Sequence, residues 1–242
     1  MWSLHPETLQ LVGVIVTLVS AVVSLLTWYR HRGGPGLRGW AIALFLGTAS
    51  TFLYGFRGPD GPFRLIVLGD AMLVAGFATM WMSMRRFNDP ELAPELMAVI
   101  TGTITSLFVV LFTLAWQTGP VARAQSIVLS LFIVVLALLA AWETWRGRRL
   151  DGLRSRVVAA VALAGIALAR LARAGIATLA GMGLIDTDVR AVVQGYTTYV
   201  TTVCILIVTF GLVLMANERF ERRHAGATDG HPPSGHRPRA EP

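Results

Sequence analysis

The 242-residue chain has no lysine, a single cysteine, and charged residues at only 14% of its positions. All 21 of its basic residues are therefore arginine. Without lysine there is no phosphate-binding loop of the Gly-Lys-Ser/Thr kind. One cysteine, Cys204, excludes a disulfide framework and a cysteine-based metal site; inside an apolar run it reads as a small packing residue. The histidines His5, His31, His224, His231 and His236 all stand outside the long apolar runs. That removes paired-histidine haem ligation, intramembrane zinc and a Ser–His dyad. No connector is long enough to hold a catalytic domain. No enzyme, cofactor or metal site is expected. The first ten residues carry no Arg or Lys, so they do not read as a secretory signal peptide.

What the chain has is hydrophobic length. Hydrophobic residues make up 54% of it, and the mean hydropathy is +0.60. Several apolar stretches reach about 20 residues, enough to cross a hydrocarbon core of ~30 Å as helix. The expected fold is all-α: a polytopic membrane protein with a seven-transmembrane-helix bundle. The spans run from Leu9 to Tyr29, Gly39 to Phe56, Leu65 to Met84, Leu96 to Trp116, Ile127 to Trp145, Val157 to Leu179 and Val192 to Met215. Between them lie turn-forming connectors, "RGGPG", "RGPDGP", "NDPELAP", "TGP", "DG" and "DTD". No 20–50-residue repeat and no transporter-like duplication stands out.

The net charge of +7 does not point to nucleic acid, because the arginines follow the membrane. Thirteen of them (Arg30, Arg32, Arg38, Arg85, Arg86, Arg146, Arg148, Arg149, Arg154, Arg156, Arg219, Arg222, Arg223) fall in connectors on one side. The alternate connectors hold only Arg57, Arg64, Arg123 and Arg190. The positive-inside rule then places the N-terminus outside and the C-terminus in the cytoplasm. Trp40, Trp81, Trp116, Trp142 and Trp145 read as an aromatic belt, and "TGTITS" (residues 101–106) as polar glue between helices.

Two arginines break the pattern. Arg170 and Arg173 lie inside the sixth apolar run, on one helical face and in the outer half of the membrane. A buried guanidinium requires a counter-ion. Asp70 in the third run lies at matching depth, whereas Glu143, the other intramembrane acid, lies near the cytoplasmic end of the fifth. Gln194, Tyr196 and Tyr199, with Thr197 and Thr201, occupy the outer half of the seventh run. The expected polar network is Asp70 with Arg173 or Arg170, completed by Tyr196 or Tyr199. Such a network can simply fix helix register. Alternatively, two cations against one carboxylate leave a surplus charge that suits an anionic or polar ligand.

Four segments carry a family resemblance: "PGLRGWAIALFLG", "IVLGDAMLVAGFATMWMSMRRFN", "AWETWRGRRLDGLRSR" and "FGLVLMANERFERR". Over residues 1–223 the chain resembles the seven-helix N-terminal membrane region of proteobacterial GGDEF diguanylate cyclases. Within it, "RRFN", "AWE-x-WRGR" and "LM-x-NER" recur at corresponding topological points. Such regions often have Asn where this chain has Asp70, and a His before the span-six arginine where it has Gly165 and Ile166. Here "NER" leads not into a GGDEF domain but into "HAGATDGHPPSGHRPRAEP", a tail over 224–242 expected to be disordered. The resemblance implies an input module of the bacterial inner membrane: a sensory or signalling domain whose last helix transmits a conformational change. Its expected partners are the lipid bilayer, a second copy in a homodimer through span seven and "NERFERR", a separate cytoplasmic output protein, and a small ligand of unknown identity. The alternative is a small transporter or channel whose polar site is Asp70, Arg170 and Arg173.

Overall fold

In the computed structural model, residues 6–30, 36–55, 62–118, 121–152, 154–182, 184 and 187–228 are described. They form seven helices: α1 (Pro6–Arg30), α2 (Leu37–Gly55), α3 (Phe63–Asn88), α4 (Pro94–Thr118), α5 (Val121–Asp151), α6 (Ser155–Gly181) and α7 (Thr187–Thr228). No strand occurs among the described residues. Long apolar runs fold this way because helices satisfy every backbone N–H and C=O internally when lipid offers no partner. The hydroxyls follow the same logic. Thr48, Thr79, Thr103, Thr105, Thr113, Thr144, Thr201 and Thr209 each donate to the carbonyl four residues back, at 2.7–2.9 Å. Thr103 and Thr105 of "TGTITS" are thus satisfied within α4 itself rather than bonding another helix.

Six of the helices are long and apolar enough to cross a membrane. The exception is α2, a 19-residue helix diluted by Arg38, Gly47, Thr48, Ser50 and Thr51. Packing order describes a closed ring, α1–α2–α3–α5–α6–α7 and back to α1, with α4 outside it against α3 and α5. Small residues set the close approaches: a Cβ at Gly211 would touch Ala159 at 3.2 Å, and one at Gly76 would meet the Ala43 carbonyl at 3.0 Å. The core runs through Trp40, Val74, Phe77, Phe108, Ile133, Leu163, Ile166 and Val208. Trp40 is therefore a fully buried core residue and not part of an aromatic belt, whereas Trp142 and Trp145 do face outward.

Helix α7 is 42 residues long, about 63 Å at 1.5 Å per residue, roughly twice a hydrocarbon core. It continues past Arg223 to Thr228; the remainder of the expected tail, 229–242, lies outside the described residues. Val192, Tyr196, Tyr199, Val203, Ile207, Phe210 and Leu214 form one outward stripe along it, while Thr197, Thr201, Val208, Leu212 and Met215 face the bundle.

Candidate functional site

The bundle holds polar groups at two levels. At the upper level, Asp70 of α3 is almost fully buried. The Tyr54 hydroxyl of α2 donates a hydrogen bond to Asp70 Oδ1. Close packing brings the two helices together there: a Cβ at Gly69 would sit 3.4 Å from the Tyr54 ring. Ser50, one turn earlier on α2 and fully buried, adjoins the same hydroxyl. Arg170 of α6 is nine-tenths buried and its Nε has no hydrogen-bond partner. Asp70 attracts it and Arg173 repels it. Arg173 itself is half-buried.

The structure therefore places Asp70 and Arg170 within electrostatic reach of each other, and the tyrosine bonded to Asp70 is Tyr54 of α2. Tyr196 and Tyr199, expected in that place, are 66% and 54% exposed on the outward stripe of α7. The reason is azimuth: depth along a helix does not fix which way a side chain points, and at 3.6 residues per turn Thr197 and Thr201 take the inward positions. Gln194 is in α7, but its side chain lies outside the described residues.

The lower level is built from α3, α5, α6 and α7. Arg156 of α6 is buried to 1% exposure and donates through a terminal guanidinium nitrogen to Asn88 Oδ1 at 2.7 Å. Asn88 passes the polarity on: its Nδ2 donates to the Glu143 backbone carbonyl at 2.8 Å and to Glu143 Oε2 at 3.3 Å. A neutral amide thus links a cation to a carboxylate, with its oxygen facing the arginine. Gly147 of α5 makes the crossing possible, because a Cβ there would overlap both the Arg156 guanidinium and Asn88 Oδ1. The Phe87 ring carries two guanidinium groups, Arg156 at 5.1 Å and Arg219 of α7 at 4.6 Å. Arg219 also donates to the Phe87 carbonyl at 3.0 Å.

Register ties the two levels together. The α3 and α5 helices run parallel and α6 antiparallel, and Asn88 touches both Glu143 and Arg156. Counting 18 residues up from Asn88 reaches Asp70, and from Glu143 reaches Gln125; from Arg156 it reaches Ala174, next to Arg173. Asp70 and Gln125 thus lie about 27 Å, Arg173 about 26 Å and Arg170 about 21 Å from the lower cluster, a layer roughly one helical turn deep. Gln125 is buried and its Nε2 has no partner.

Sequence reasoning counted Arg156 among the loop arginines and set Glu143 aside. The available signal was the motif set itself: "RRFN" supplies Phe87 and Asn88, "AWE-x-WRGR" supplies Glu143 and Gly147, and "LM-x-NER" supplies Arg219. Three segments far apart in the chain meet in one cluster. Comparison with known proteins finds no matching family model, no matching curated protein and no matching solved structure.

Proposed function

We propose that the chain is a non-catalytic sensory or signalling module of a bacterial inner membrane, in which the upper polar layer receives a stimulus and α7 carries it to the cytoplasm. The observation that carries this reading is the grip on α7: an unbroken 42-residue helix is held at Arg219 by the ring and carbonyl of Phe87. A rotation or shift of α7 cannot occur without changing that contact. The upper layer has a cation, Arg170, with an unpartnered Nε, which suits a polar or anionic stimulus. Resemblance of residues 1–223 to the membrane regions of GGDEF cyclases supports the same assignment.

In this reading α2 is the seventh span. It follows α3 from Gly36, beside the Ser83 carbonyl, to Tyr54 beside Gly69, and so traverses the same depth. Seven spans and the arginine bias give an outside N-terminus and a cytoplasmic C-terminus. The outward apolar stripe of α7, repeating every three or four residues, suits pairing with a second copy, and the paired helices would act on a separate output protein.

A dimerisation-dependent reporter fused after Arg223 tests the reading. Asp70→Asn and Arg219→Gln are each expected to change reporter output at unchanged protein level. Output identical to wild type in both variants overturns signalling through α7.

A further inference from the structure

The outer surface of the bundle has one feature that neither polar layer uses, a crease of about 600 Å³ between α5 and α6. Its floor is made of small residues, Ala141, Ala160 and Ala164, and its α5 wall is Leu138, Trp142 and Trp145. Leu138, Trp142 and Trp145 recur at helical spacing on the exposed face, and the next residue on that stripe is the exposed Arg149. On the other wall Val161 is exposed, and Arg154, two turns earlier, is exposed on the same side. The end of α5 at Asp151 and the start of α6 at Ser155 bring Arg149 and Arg154 to the two sides of one short turn. At the same end, the Arg148 guanidinium rests 5.4 Å over the Trp145 ring. The crease itself is apolar, and the exposed Arg149 and Arg154 lie beyond its lining, toward the α5–α6 turn.

We propose that this crease binds an anionic phospholipid, with an acyl chain against Trp142, Ala160 and Ala164 and the phosphate between Arg149 and Arg154. A bilayer wets every outward face with acyl chains, so the charge toward that turn is what makes the site selective. Residues 146–156 carry five arginines against one acid, Asp151, which favours an anionic headgroup over a zwitterionic one. The amphipathic tryptophans Trp142 and Trp145 fit the boundary between chain and headgroup. This proposal rests on membrane insertion and not on the signalling reading.

Tryptophan quenching in the full chain, reconstituted into vesicles containing brominated phosphatidylglycerol or brominated phosphatidylcholine, tests it. The part of the signal that is lost in Trp142→Phe reports the crease. In wild type that part is expected to show a several-fold preference for the brominated phosphatidylglycerol. An Arg149→Gln/Arg154→Gln pair, both on exposed positions, is expected to bring the preference close to one-to-one. Ala164→Leu, which fills the floor, is expected to weaken quenching by either lipid. A one-to-one ratio in wild type, or a preference unchanged by loss of the two arginines, overturns the proposal. So does a Trp142 shielded from both lipids because a second copy covers it.

Discussion

The guanidinium of Arg219 lies 4.6 Å over the ring of Phe87 and donates to that residue's own carbonyl at 3.0 Å. Two attractions on one residue fix the lower part of α7 in both rotation and height. Arg219→Gln removes the cation–π contact and the charge-assisted hydrogen bond, an expected local cost of about 1–3 kcal/mol. Amide hydrogen exchange over residues 216–228 should speed up accordingly, while α5 keeps its protection. Unchanged exchange in this stretch would show that the contact does not hold the helix.

Two glycines separate packing from propensity. Gly102 of α4 has open space around it, so Gly102→Ala should be neutral or stabilise by up to about 1 kcal/mol. At Gly147 a methyl group would collide with Arg156 and Asn88, and Gly147→Ala should destabilise by roughly 1–3 kcal/mol. Thermal unfolding of the detergent-solubilised protein compares the two. Equal midpoints would mean that the Arg156 crossing contributes nothing.

Asp70 and Arg170 form the buried charge relationship of the upper layer. Asp70→Ala leaves the cations Arg170 and Arg173 facing each other and should cost about 3–5 kcal/mol. Arg170→Gln in the same chain should recover part of that loss, giving a coupling of about 0.5–3 kcal/mol in a double-mutant cycle. Additive effects would contradict the pairing. Tyr54→Phe should cost about 1–3 kcal/mol by removing the hydroxyl that donates to Asp70, whereas Tyr199→Phe, on the outward stripe, should cost little.

These sites were legible to different degrees. The helices were readable because turn residues interrupt apolar runs of spanning length; the ends of α1, α2, α3, α4 and α6 fall within a few residues of the expected ones, whereas α5 (Val121–Asp151) and α7 (Thr187–Thr228) extend well past theirs at both ends. The shared depth of Asp70 and Arg170 was readable as well, since axial position follows from 1.5 Å per residue. Partner identity was not. It depends on which faces the ring turns inward, and that exchanged Tyr196 and Tyr199 for Tyr54. The signal in the sequence is the apolar stripe from Val192 to Leu214, spaced three or four residues apart, which carries Tyr196 and Tyr199 on the outward face. The Arg156–Asn88–Glu143 chain was hidden for another reason: an arginine next to a basic connector looks solvated until a glycine on the neighbouring helix is seen to admit it.

Topology is open to a direct check. If the bias of thirteen arginines against four sets the proposed orientation, alkaline phosphatase fused after Arg223 should be inactive and green fluorescent protein at the same point fluorescent. The opposite pair of results would invert the bundle in the membrane.

The two polar layers act as one device only if a change at Asp70 is felt at α7, about 27 Å away. Spin labels at the exposed positions Glu91 and Glu221, with Cys204 replaced by alanine, place one probe beyond the α3 end and one on the α7 extension. Their distance distribution, measured by double electron–electron resonance in lipid bilayers, reads the coupling. Asp70→Asn is predicted to shift or broaden that distribution in the same direction as Arg219→Gln, which releases α7 directly. A wild-type distribution in Asp70→Asn, alongside a clear change in Arg219→Gln, would contradict signal transmission between the layers.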